Sequence, residues 1–151
     1  MKLEPLLTFT ATIGSNLPVG NGPYGNRAIA EVTGGRFEGP RLRGRVLPPG
    51  ADWVLVDATG HGRVDVRVLF QTDDGANIYV TYTGVLELNE AAGRALAGGP
   101  ETQFGDSYFV TQLRFETGAS GYAWLNHVVA VGEGRLMPGQ VQYRVHHCVP
   151  G

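Results

Sequence analysis

Arg63-Val64-Asp65-Val66-Arg67-Val68-Leu69-Phe70, followed after Asp74-Gly75 by Ile78-Tyr79-Val80-Thr81-Tyr82-Thr83-Gly84-Val85-Leu86, decides the fold class. Residues two apart on an extended strand point the same way, so each run sends one series of side chains to each face of a sheet. Asp-Gly suits a two-residue hairpin turn, and the two runs therefore read as one antiparallel hairpin. If Asp73 stands opposite Ala76, Arg67 falls opposite Tyr82 and Asp65 opposite Gly84. Those four residues then share a face with Leu69, Val80 and Leu86.

Outward from this hairpin, strand signals recur at short intervals. Leu6–Ile13, Ala28–Val32, Leu42–Leu47 and Val54–Val56 precede it, and Tyr108–Glu116, Tyr122–Gly132 and Val141–Val149 follow. Asn89 is a suitable N-cap for one short helix near residues 89–97, which Gly98-Gly99-Pro100 ends. Gly14–Gly25 shows no hydrophobic periodicity and reads as a long loop. Within it, Gly20-Asn21-Gly22-Pro23-Tyr24-Gly25 matches the dinucleotide G-x-G-x-x-G pattern, but a strand and not a helix follows, so no pyrophosphate site is expected. The whole reads as all-β: one antiparallel β-barrel of about eight to ten strands forming a single domain over residues 1–151.

The 23 glycines and nine prolines fit many turns. Twelve basic against fourteen acidic side chains give a net charge of −2, which offers no drive toward nucleic acid or an anionic membrane. The longest apolar runs, such as Val128–Val131, fall far below the ~20 residues that span a bilayer. Cys148 is the single cysteine, and Glu4 and Pro5 interrupt the start where a signal peptide needs an apolar run. A soluble protein of the reducing cytoplasm is expected.

Asp65 and Arg67 project together from one strand face, either outward into solvent or inward as a hydrogen-bonded pair in a pocket. If the face is inward, Asp65 is the candidate general base, with Arg67 or Tyr82 polarising a carbonyl or acting as acid. Tyr122, Trp124 and Asn126 share a face of the later expected strand, an aromatic wall carrying an amide. Tyr79 and Tyr108 are further phenol candidates, and Asp52-Trp53 reads as a loop-borne acid with a lid aromatic. No metal site is expected: consecutive His146 and His147 point to opposite faces, and no ligand-spaced set accompanies them. No nucleophile triad, Walker loop or other cofactor signature occurs, so no cofactor is expected.

The ordered blocks Gly34–Pro40, Gly50-Ala51-Asp52-Trp53, Thr72–Ala76, Phe115–Gly118 and Tyr122–Asn126 together resemble domain-of-unknown-function family 3237 over nearly the whole chain. That resemblance implies a small single-domain β-barrel assembled as a homo-oligomer. It carries no catalytic assignment.

The leading expectation is an enzyme performing cofactor-independent acid–base chemistry (elimination or addition, isomerisation, cyclisation) on a small, partly apolar or aromatic molecule inside the barrel. Asp65 would move the proton, Asn126 would orient the substrate, and Trp53 with Trp124 would exclude water. The alternatives are a non-catalytic binding protein using the same residues, and a scaffold barrel with Asp65 and Arg67 on its outside.

Overall fold

The computed structural model describes all 151 residues. Eight strands form a closed antiparallel barrel in sequence order: β1 (Lys2–Gly22), β2 (Gly25–Glu38), β3 (Arg43–Val56), β4 (His61–Thr72), β5 (Asn77–Glu87), β6 (Phe109–Glu116), β7 (Ala130–Met137) and β8 (Gln140–Val149). β1 pairs with β8 to close the ring, so no strand is left with an open edge along its whole length. A short helix, α1 (Glu90–Leu96), follows β5, and a 3-10 helix (Ser120–His127) lies between β6 and β7. No helix is long and apolar enough to cross a membrane.

Alternation builds the wall as expected. Val64, Val66, Val68 and Phe70 of β4 are buried while Arg63, Asp65 and Arg67 are exposed. The hairpin register, however, differs by one residue from the two-residue turn. Thr72 N donates to Ala76 O, Gly75 N donates to Thr72 O, and Gly75 has a left-handed φ of 92°. Asp73-Asp74-Gly75 is thus a three-residue loop, in which the Thr72 hydroxyl and the Asp74 carboxylate also hydrogen-bond. Asp65 consequently pairs with Thr83 and Arg67 with Thr81, while Tyr82 pairs with Val66. One residue of slip sends Tyr82 and Val80 inward and leaves Asp65 and Arg67 outside. Gly84 does not make room beside Asp65. A methyl there would collide with the Val110 carbonyl oxygen and lie 2.8 Å from Thr111 Cα.

Two further expectations are corrected. Gly14–Gly25 is not a loop but the far half of the β1–β2 hairpin, with Leu17 opposite Ile29 and a turn at Pro23-Tyr24. Register shifts around Ile13, Asn16 and Pro18 break the period of two, and β8 leaves β1 at Thr12, so both faces of this extension see solvent. Tyr122–Gly132 is not a strand. Its first part is the 3-10 helix, whose fully buried Leu125 packs into the core, and only from Ala130 does the chain run as β7. Gly132 and Gly134 hid β7 in the sequence. They are small because a side chain at Gly132 would meet the Thr111 hydroxyl and one at Gly134 the Phe109 ring.

The helix near 89–97 forms as expected, with Asn89 Oδ1 accepting from Ala92 N at 3.0 Å. The barrel interior is filled by a connected set of rings. Phe37 stacks on Phe70 at 4.5 Å, Phe70 meets Phe9 edge-on at 5.1 Å, and Phe9 stacks on Tyr143 at 4.8 Å. Tyr82 and Phe109 complete the set against Tyr143.

Thr111, beside Gly84 and Gly132, carries the one buried side-chain polar atom without a hydrogen-bond partner. Thr111→Val keeps the shape and removes the unsatisfied hydroxyl, so urea denaturation should show a gain of about 1 kcal/mol. Gly84→Ala should lose about 3 kcal/mol, because β6 backbone lies where the methyl would go.

Candidate functional site

The site begins at an interruption in the β3–β4 ladder. Asp52 pairs with Val66 and Leu55 with Arg63, but Trp53 and Val54 between them have no partner in β4. The Trp53 carbonyl instead accepts from Arg27 Nη1 at 2.7 Å. Asp65 N, left without a carbonyl, donates to Asp52 Oδ1 at 3.0 Å. A carboxylate thus does the work of a backbone acceptor in the seam, and the sheet loses no hydrogen bond at Asp65.

Asp52 stands opposite inward-facing Val66 and opposite Ala30, which orients it toward the barrel side of the wall. It is half-buried. Burial raises its carboxyl, the bond from Asp65 N lowers it, and the Asp65 charge raises it again, leaving it pushed up to about 6. Among the carboxyl groups with displaced pKa values it alone is raised; Asp57 and Asp74 are lowered by hydrogen bonds, chiefly from the hydroxyls of Thr59 and Thr72. Behind the seam, burial holds the Tyr82 and Tyr143 phenols above their ordinary value, and the Asp52 charge adds to this.

On the outer side, a groove of about 910 Å³ runs over β4, β5 and β6 toward the 3-10 helix. It exists because β7 meets β6 only as far as Leu113 opposite Ala130, so Arg114–Glu116 diverge and the 3-10 helix stands off as a second wall. Asp65, Arg67, Tyr79 and Thr81 line one side and Asn126 and His127 the other. The Arg67 guanidinium lies 5.7 Å from the centre of the Trp53 ring, tying the groove to the seam.

Trp53, Asp65 and Arg67 are therefore brought together on the outer face, with Asp52 reaching Asp65 N from the barrel side, Tyr79 on the same strand wall of the groove and Tyr82 inside. The Asp65/Arg67 face does not point into the barrel, and the interior is packed with aromatic side chains. The inward alternative read from the sequence is corrected on both counts. Tyr122, Trp124 and Asn126 share no strand face. Tyr122 donates to Asp74 Oδ1 at 3.0 Å, Trp124 packs under the Arg41 guanidinium at 3.6 Å, and the Asn126 amide pairs with both backbone groups of Thr117. Tyr108 is exposed in the segment before β6, beside a separate groove of about 520 Å³. Sequence reasoning missed Arg114 and Tyr143. Each sits in an alternating run, Gln112-Leu113-Arg114-Phe115-Glu116 and Gln142-Tyr143-Arg144, which could have revealed their faces.

Fold and site define a small closed β-barrel with a titratable carboxylate set into one seam. The chain belongs to the family described as "Protein of unknown function (DUF3237)", whose model matches residues 1–148. It is 33% identical over 146 residues to the UPF0311 protein RPA1785 of Rhodopseudomonas palustris, covering 97% of this chain and 95% of that one. The crystal structure of that R. palustris protein superposes with a TM-score of 0.92, covering 98% of this chain and 97% of the other at 32% identity. A β-barrel-like protein from Acinetobacter baumannii is 36% identical with a TM-score of 0.82, over 97% and 94% of the two chains. A more distant relative is the hydroalkoxylation enzyme phnH of Penicillium herquei, 32% identical over 106 residues, or 70% of this chain and 56% of that protein.

Because the raised carboxyl binds its proton more tightly in the folded chain than in the unfolded one, Asp52 weakens folding progressively as pH rises from about 4 to about 6. Asp52→Asn can still accept from Asp65 N and should be more stable than wild type by about 1–2 kcal/mol above pH 6.5, converging with it near pH 4. Thermal unfolding across that pH range measures the difference.

Proposed function

We propose that this protein is a cofactor-independent acid–base enzyme acting on a small organic molecule, with Asp52 as the group that takes and returns the proton. The observation that carries the reading is Asp52 itself: a half-buried carboxylate, pushed up to about 6, in a gap of the β3–β4 ladder where Trp53, Asp65 and Arg67 meet. A carboxyl tuned toward neutrality is ionised often enough to accept a proton and protonated often enough to return one. Asp65 acts here as the neighbouring charge that helps set this value, in place of the proton-transfer role expected from the sequence. Arg67 polarises an oxygen of the substrate, and Trp53 supplies an apolar surface.

The relationship to a hydroalkoxylation enzyme supports a lyase- or cyclase-type reaction of the same economy. Addition of an O–H group across a carbon–carbon double bond removes one proton from oxygen, forms a C–O bond as the π bond breaks, and returns one proton to carbon. A single carboxylate can manage both transfers without an oxidant or reductant.

The test is comparison of wild type, Asp52→Asn and Asp65→Asn on compounds that wild type converts in a small-molecule extract of its host. Asp52→Asn should lower kcat at least ~100-fold. Wild-type kcat/KM should rise with pH through about 6, and Asp65→Asn should move that midpoint downward while keeping turnover. Full activity in Asp52→Asn would overturn the reading, and loss of activity confined to Asp65→Asn would return the base to Asp65.

A further inference from the structure

We propose that the outer groove binds a small aromatic or unsaturated monocarboxylate, anchored by Arg67 and Arg114 on either side of Thr81; this rests on the acid–base reading of the adjoining seam and names its substrate class. Arg67 pairs with Thr81 across the β4–β5 ladder, and Thr81 pairs with Arg114 across the β5–β6 ladder. The two arginines therefore stand two strand spacings apart, about 10 Å between Cα atoms, with side chains on the same outer face. Both line the groove.

Neither guanidinium is held by a carboxylate. The ion pairs of this chain use Arg43, Arg63, Arg94, Arg135 and Arg144. Asp65 is two residues from Arg67 on the same face but makes no salt bridge with it. Two arginines facing one concave surface without a carboxylate partner repel one another, and an anion between them relieves this while accepting bidentate hydrogen bonds from a planar fork. With His127 neutral, the charged lining of Asp65, Arg67 and Arg114 sums to +1, which matches a monoanionic carboxylate better than a phosphate dianion.

The remaining lining specifies the body of the ligand. Tyr79, 42% exposed, offers a ring on the strand side, and Val128 and Val129 offer an apolar surface on the opposite wall. Thr81, opposite both arginines, adds a hydroxyl to the lining. A volume of about 910 Å³ falls within the usual range of small-molecule sites. Asp65 joins the groove to the seam, since its side chain lines the one and its N–H binds Asp52 of the other.

Benzoate is the probe, with the neutral isostere benzamide and inorganic phosphate as controls, titrated into isotope-labelled protein and followed by amide NMR shifts. Benzoate should shift the amides of Thr81, Thr83 and Arg114, and Arg67→Gln or Arg114→Gln, both at exposed positions, should each weaken it at least tenfold. Asp52→Asn should bind benzoate within twofold of wild type, because it removes the proton-transfer group and leaves the anchor. Benzamide binding as tightly as benzoate, phosphate displacing it at equal concentration, or shifts elsewhere on the barrel would overturn the proposal. Native mass spectrometry with amide exchange checks the competing occupant: protection of this face by a second copy of the chain, with benzoate excluded, would also overturn it. Unchanged binding in both arginine variants together with lost turnover in Asp52→Asn would sink the carboxylate site alone; intact binding with full Asp52→Asn turnover would sink the acid–base reading alone.

Discussion

The connected set of six rings through the barrel, Phe37, Phe70, Phe9, Tyr82, Tyr143 and Phe109, is the constraint on which the rest of the structure depends. An eight-stranded ring encloses a space that must be filled by side chains or by a ligand. Here side chains drawn from six different strands fill it. Gly134 is small because the Phe109 ring covers it. Helices then cover what the rings leave open: α1 contributes buried Ala92, and the 3-10 helix contributes Leu125.

A full interior leaves the wall to carry the exposed polar groups. Backbone polar groups in a β-barrel wall are normally consumed by the ladder, so a side chain can stand in for a backbone acceptor only where the ladder yields. That happens beside Trp53, whose carbonyl turns to Arg27 and frees Asp65 N for the Asp52 carboxylate. Asp52 is thereby a structural acceptor and a titratable group at once, and its raised pKa reflects both its burial and its neighbour Asp65.

The alternation of Val64, Val66 and Val68 with Arg63, Asp65 and Arg67 was enough to read a barrel wall from the sequence, because burial on one face only imposes a period of two. Which residues of β5 share the Asp65/Arg67 face depended on a turn one residue longer than Asp74-Gly75 suggests, and that register placed Tyr82 away from Arg67. Tyr122, Trp124 and Asn126 show the limit of periodicity: three residues at spacing two mimic a strand, yet Leu125 between them is the one driven into the core. Asp52 and Trp53 were singled out together as a loop-borne acid and lid aromatic, but both stand within β3. Their setting in an interrupted ladder was not legible, since it depends on Arg27 and Asp65, which are distant in sequence.

The brief meeting of β6 with β7, confined to Val110–Leu113 and Ala130–Glu133, also makes the ring mechanically uneven. A closed barrel resists opening because parting any two strands exposes two edges at once, and the shortest seam exposes the least. This seam is therefore the natural gate for local unfolding, where the cylinder can uncurl into a sheet while the long β1–β2 and β2–β3 pairings stay intact. The outer groove lies over that gate, with β4–β6 on one side and the 3-10 helix leading into β7 on the other. Anything seated there would act as a clasp across the ring, coupling occupancy of the groove to the rigidity of the whole cylinder.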